Sequence, residues 1–448
     1  MTHSPGFAAP GQRVRRGKNL ALLTASSAMD NAEANVTSVL FPLMREALGL
    51  STSALGTIVA VGKAVGVFAG VPWMMLANRY SRRTVLAICA GFWGVWSIAA
   101  GMSGSFAQFV VLYGIAAAGF AGAGPIALAI LSDIYPDSRR GRATGALYGG
   151  VALITGISGP VFGQLSGFAD GWRYGFYLSG GITLVLGVLI LVSLDDPVSR
   201  SRHEVEEVPT LDRIEDKARN LRGALRELFA IRTYRYLLVQ RVFSGQNIIM
   251  SFATTFMVTE RGLSTATAAA IVLPFALGYM AGTFTGGRIN DLWHRHRPRT
   301  GRVAMLQVSQ LAFAAVAFAA IQPVWGNTAI YVLLFTVLGF LQGQVPVTNR
   351  PLIMAVVPPH LRGMAFAVSV STVEALAYAG YALLAGFLGD LIGLQATLLL
   401  ITVALTTANG VCSAALYRPY AHDSAVITAR WPEPPAGLSK SAPVTAAD

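Results

Sequence analysis

The chain is a succession of long apolar runs separated by short polar ones. In the first half the runs cover roughly 20–44, 53–77, 84–103, 107–132, 143–168 and 174–194. In the second half they cover roughly 235–259, 266–289, 303–322, 328–349, 361–388 and 392–416. Each is long enough to supply the ~20 mostly apolar residues that a helix needs to cross hydrocarbon. The pattern predicts an all-α membrane protein with twelve transmembrane helices in two bundles, 20–194 and 235–416. A tail over 1–19 precedes them, a polar linker over 195–234 joins them, and a tail over 417–448 follows. The linker carries an acidic patch from Glu204 to Glu207 and a stretch of helical character from Leu211 to Phe229, read as partly interfacial. The last tail is rich in Pro, Ala and Ser and is expected to be disordered.

Composition agrees with burial in lipid. Only 12% of the 448 residues are charged and 54% are hydrophobic, where a soluble chain carries roughly 25% charged residues. The net charge of +12 would suggest nucleic acid in a soluble protein. Here the basic residues sit in alternate polar segments: the N-terminus, Arg79/Arg82/Arg83, Arg139/Arg140/Arg142, the linker, Arg288 to Arg302, and Arg362. The intervening loops hold only Arg45, Arg173 and Arg261. The positive-inside rule then puts both termini in the cytoplasm of a multi-pass inner-membrane protein and leaves no role for nucleic acid. A signal peptide ending near Ala28 is disfavoured, because apolar character resumes past Asn35 and runs to Met44. Cys89 and Cys412 both lie in apolar runs, so neither a disulfide framework nor a metal site is expected.

The two halves repeat. Pro136-Asp137-Ser138-Arg139-Arg140-Gly141-Arg142-Ala143 ends the fourth run, and Pro358-Pro359-His360-Leu361-Arg362-Gly363-Met364-Ala365 ends the tenth, with Pro, Arg, Gly and Ala at the same offsets. Leu76-Ala77-Asn78 and Ile289-Asn290-Asp291 correspond in the same way. Parallel repeats of this kind place a solute cavity between the halves near the midplane.

These residues resemble the major facilitator superfamily over 20–416. Met74-Met75-Leu76-Ala77-Asn78-Arg79-Tyr80-Ser81-Arg82-Arg83 is similar to the family's G-x-L-A-D-R-x-G-R-R loop, with Asn78 in place of the aspartate and Met74 and Ser81 in place of glycines. The resemblance implies a gating role for Asn78, Arg79, Arg82 and Arg83, with Asp133, Arg140, Arg142, Asp291 and Arg362 in the matching segments. Asn78 can still cap a helix but brings no charge to its dipole. Gly156, Gly159, Pro160 and Gly163 resemble the G-x-x-G-P-x-x-G motif of the family's proton-linked exporters, and ordinary close helix packing explains them too. Asp170-Gly171-Trp172-Arg173 resembles the family's G-W-R. Glu33, nine residues before Pro42, fits both the exporter pattern and that of spinster-like lipid transporters. The arginine that both groups usually carry in the fourth span falls on Tyr113, the spinster glutamate there falls on Phe120, and the spinster arginine after the first-span acid falls on Ala34.

Ionisable groups in hydrocarbon cost at least ~2.5–3.5 kcal/mol each and mark function. Asp30, Glu33, Lys63 and Glu374 stand out. Asp30 and Glu33 share a helix face, which suits a proton carrier; a structural ion pair or a cation site are the alternatives. Counting from the turn near Gly49 puts Lys63 opposite Asn35 and within ~3 Å in depth of Glu33, so a switchable Lys63–Glu33 pair is expected. Gln246, Asn247, Gln342 and Gln344 add neutral polar groups; of these, Gln246 and Gln344 are the expected solute contacts.

The reading is a secondary transporter that moves a small organic or amphipathic solute by alternating access, coupled to protons and exporting. Uptake of a metabolite and lysolipid-type transport are the alternatives, with a membrane enzyme or non-transporting receptor more remote. No P-loop, G-x-S-x-G or H-E-x-x-H occurs. No cofactor beyond a proton gradient is expected, and the partners are the solute, protons and the bilayer, with the chain acting as a monomer.

Overall fold

The computed structural model describes residues 16–135, 137–195 and 222–430, with the side chains of Asp30 and of 137–141 outside the described set. The linker's acidic patch, most of its Leu211 to Phe229 stretch, the side chains of Asp30 and Arg140, and the residues after Arg430 therefore lie outside the described residues. The described residues form twelve helical spans, one of them in two short pieces, and no strand. In the first half these are α1 Arg16–Leu48, α2 Thr52–Arg79, α3 Arg82–Gly101, α4 Phe106–Ile134, α5 Asp137–Gln164 and α6 Gly171–Ser193. The second half holds α7, in two pieces Arg232–Val242 and Ile248–Thr259, then α8 Thr265–His296, α9 Gly301–Ile321, α10 Thr328–Val356, α11 Pro359–Ile392 and α12 Leu394–Arg430.

Among the described residues, ten of the twelve are long and apolar enough to cross a membrane. The other two differ for physical reasons. Polar Asp30, Asn31, Glu33 and Asn35 dilute α1, and α7 is broken around Gly245. The last helix corrects the expected boundary at 417. It continues as Tyr417–Arg430 because Pro419 and Tyr420 are buried and because Asp423 accepts hydrogen bonds from the Thr233 amide (2.9 Å) and hydroxyl (2.6 Å) at the start of α7.

Within each half, small residues let the helices approach closely, the usual means of association in lipid. α8 and α10 cross on two matched pairs: a Cβ at Gly278 or Gly282 would lie 2.0 or 1.9 Å from a carbonyl of α10, and one at Gly339 or Gly343 would lie 2.0 or 2.2 Å from a carbonyl of α8. The halves touch along two main seams, α2 against α11 and α5 against α8. On the α5–α8 seam a Cβ at Gly156 would come 2.8 Å from the Ala276 methyl, and one at Gly163 would come 2.7 Å from the Ala269 methyl. Gly159 instead turns toward α1, 3.9 Å from Val39.

The seams close one face of the molecule, opposite the arginine-rich loops. There the Asp390 carboxylate in the last turn of α11 accepts hydrogen bonds from the Thr52 (2.6 Å) and Ser53 (2.9 Å) amides that open α2. A Cβ at Gly56 would lie 2.2 Å from the Ala382 carbonyl oxygen, so the α2 and α11 backbones are in direct contact.

Candidate substrate cavity

A cavity of about 640 Å³ lies between the halves, within the range of small-molecule sites. Its wall runs from Asn35 and Tyr378 at mid-depth to Asn78 at the arginine-rich end of α2. It is walled mainly by α1, α2 and α4, with Thr155 from α5, Met250 and Ser251 from α7, and Ser371, Ala375 and Tyr378 from α11. Gly62, Gly66 and Gly70 form one stripe of α2 along it. Being four apart, they share a face and leave space where larger side chains would fill the lumen.

Glu33 and Lys63 both reach this cavity, but they do not form the expected pair. Glu33 is 3% exposed and one carboxylate oxygen accepts from the Ser97 hydroxyl of α3 at 2.7 Å. Lys63 is exposed to the cavity and its ammonium lies 5.3 Å from the Tyr378 ring centroid, across the interface between the halves. Among the described residues no ion pair involves it. The count from the turn fixes depth along the α1–α2 hairpin. It does not fix rotation about each axis, and rotation sends Glu33 into its own bundle and Lys63 out of it. The Tyr378 hydroxyl in turn shares a 2.6 Å hydrogen bond with Ser251 of α7. Lys63, Tyr378 and Ser251 thus form a polar group drawn from both halves.

The other expected residues divide between lining and packing. Asn35 lines the cavity and donates to the Thr155 carbonyl (2.9 Å) and Ser158 hydroxyl (3.0 Å), tying α1 to α5. Gln344 is buried and accepts from Ser309 of α9 at 3.1 Å, so it joins α9 to α10 behind the wall. Gln246 is buried in the α7 break and is likewise not part of the wall. Both were expected to meet solute; in a membrane interior neutral amides serve helix association as readily. Glu374 accepts from Arg241 at 2.7 Å in an ion pair whose arginine is buried and whose carboxylate is half-buried, and Asn247 accepts from Gln342 and donates to Glu374.

At the arginine-rich face, Arg82 is ion-paired to Asp133 of α4 and also donates to the Ala129 carbonyl. Arg83 donates to the Leu194 carbonyl at the end of α6, and Arg79 lies 5.8 Å from the Tyr80 ring. Asn78 sits at the cavity mouth. In the second half Asn290 is buried while Asp291 is exposed. Arg142 is exposed, and Arg362 donates to the Val357 carbonyl of its own loop at 3.4 Å. No cluster of metal-ligating side chains occurs among the described residues.

Sequence reading missed Tyr378, Ser251, Arg241 and Asp390. Arg241 lies inside the seventh apolar run and carried the same signal that singled out Glu374. Tyr378 and Ser251 are ordinary membrane residues, and only the juxtaposition of α7, α11 and Lys63 marks them.

Several comparisons bear on the arrangement. The chain is 26% identical over 279 residues to the hexuronate transporter of Bacillus subtilis (strain 168), covering 59% of this chain and 62% of that relative, less than two thirds of its length. It is 27% identical over 369 residues to a candidate tartrate transporter of Agrobacterium vitis, covering 77% of this chain and 76% of the relative. The fold is similar to that of a bacterial homologue of the human lysosomal transporter Spinster in an inward-facing, unoccupied conformation, with a TM-score of 0.75, 18% identity, and 94% of this chain and 99% of that chain covered. The model of the Major Facilitator Superfamily matches residues 20–381, and this chain belongs to that family of multi-pass membrane transporters.

Proposed function

We propose that the chain is a secondary transporter that takes up a small organic carboxylate together with protons by alternating access. The arginine-rich face is cytoplasmic, and the conformation described is open to that side and latched on the other. The observation that carries the reading is Lys63. A lysine at mid-helix costs at least ~2.5–3.5 kcal/mol, and here it faces the cavity with Tyr378 and no acid partner among the described residues. A cation so placed suits an anionic solute, and the hydroxyls of Tyr378 and Ser251 supply hydrogen bonds beside it. Two relatives are named for hexuronate and tartrate, both carboxylates.

The need for coupling follows from charge. Bringing an anion into a cell that is negative inside works against ~2.3 kcal/mol per charge per 100 mV, so uptake needs a co-transported cation. Glu33, buried at the cavity edge and hydrogen-bonded to Ser97, is the carboxylate placed to carry a proton. Two glycines of the α5 motif that favoured export in the sequence, Gly156 and Gly163, pack against α8, and such packing serves either direction.

The experiment is flux into proteoliposomes with an inside-alkaline gradient, using hexuronate, tartrate and matched neutral sugars. Carboxylates should accumulate and neutral sugars should not. Glu33→Gln should abolish accumulation while leaving carboxylate exchange across the membrane. Accumulation of the neutral sugars alone, or pH-driven accumulation that survives in Glu33→Gln, sinks the reading.

A further inference from the structure

α7 is interrupted where its neighbours are also irregular. Its first piece ends at Val242 and its second begins at Ile248. Nearby, α11 is π-helical over Ala367–Glu374 and α12 over Leu399–Ala404, and such segments concentrate at functional positions. Gly245 lets the break sit against α12, where a Cβ would lie 2.3 Å from the Ile401 carbonyl oxygen. A break frees carbonyls that must find partners in hydrocarbon. Asn409 of α12 supplies them, its amide donating to the carbonyls of Gln240 at 3.2 Å and Phe243 at 3.4 Å. The interruption is therefore a built element.

Glu374, at the end of the α11 π segment, reaches both sides of it. Arg241, before the break, donates to one carboxylate oxygen at 2.7 Å. Asn247, at the far end of the break in the N-cap position of the second piece, donates to the other at 3.5 Å, and Gln342 of α10 holds the Asn247 side-chain carbonyl oxygen. One turn further along α11, Tyr378 bonds Ser251 on the second piece of α7.

We propose that Glu374 is a positioning residue that splints the α7 break and so sets where the second piece of α7 presents Ser251 to the substrate. The role of Ser251 rests on the carboxylate-transport reading above; the splint itself does not. With Glu374 in place, the second piece is clamped to α11 at two points and moves with it. Without it, the Ser251–Tyr378 bond is the remaining polar tie to α11 and the piece pivots at Gly245. Both carboxylate oxygens accept, one from each side of the break. A glutamine has only one acceptor oxygen, so Glu374→Gln must leave one side facing a donor.

Hydrogen–deuterium exchange of the full chain in nanodiscs, without ligand, tests this. Glu374→Gln should raise exchange of the 243–251 amides by about tenfold, with the other spans unchanged. Glu374→Asp, which keeps two acceptor oxygens, should restore most of the protection. Should Glu374→Gln fail to fold, Asn247→Leu removes the far-side contact alone and should loosen the same segment. Unchanged exchange at 243–251 overturns the proposal, as does a rise spread evenly over the second half. Because no ligand is used, this outcome is independent of whether the protein transports carboxylates.

Discussion

Asp390, in the last turn of α11, caps the first turn of α2 through the Thr52 amide at 2.6 Å. The contact joins the two halves at the face away from the arginine-rich loops, and it puts a negative charge where the α2 dipole is positive. Replacing a capping acid by alanine typically costs ~0.5–2 kcal/mol. Asp390→Ala should therefore shift the population by about twofold to thirtyfold away from the conformation described. Spin-label distances between the outer ends of α2 and α11 would show a longer component. An unchanged distribution counts against Asp390 as a latch.

Lys63 and Glu33 share the cavity but point to different helices, so their contributions to stability should be independent. In a thermal-unfolding cycle of Lys63→Met, Glu33→Gln and the double variant, the coupling should stay within about 0.5 kcal/mol. A larger coupling would restore the direct pair that depth alone suggested.

Lys63→Met should leave the fold intact, since the side chain faces the cavity with no ion pair among the described residues. Its effect belongs in transport: losing the counter-charge should raise the KM for a carboxylate by about tenfold to a hundredfold. Lys63→Arg should keep much of the affinity. A Lys63→Met variant with wild-type KM removes the residue from the binding site.

The α5 glycines make a position-specific prediction. Gly163→Val forces a branched side chain into a site where even a Cβ meets Ala269 at 2.7 Å, and overpacking of this kind costs about 1–3 kcal/mol. It should part the α5–α8 seam and slow transport. Gly159→Ala, facing Val39 at 3.9 Å, should be close to neutral. Equal damage from the two substitutions, measured as transport rate per folded molecule, would mean that the motif does not act through this seam.

The pattern of apolar runs determined the twelve helices, and the repeated polar motifs between them determined the parallel duplication and with it a cavity between the halves. It could do so because hydrocarbon forces every span to satisfy its own backbone, and that demand is written in length and hydropathy. The cost of charge in lipid likewise made Glu33, Lys63 and Glu374 visible one residue at a time. Rotation of each helix about its axis was not visible. A lysine and a glutamate at one depth can face the same space or opposite bundles, and packing against α3 and α11 decided that Glu33 meets Ser97 while Lys63 meets Tyr378. The α7 break was hidden for the same reason. Gly245 reads as an ordinary small residue until the Ile401 carbonyl is set against it, and Glu374 reads as a lone acid until Arg241 and Asn247 converge on it. Local sequence specifies each helix, whereas contacts made by residues more than a hundred positions apart exist only once the helices have packed.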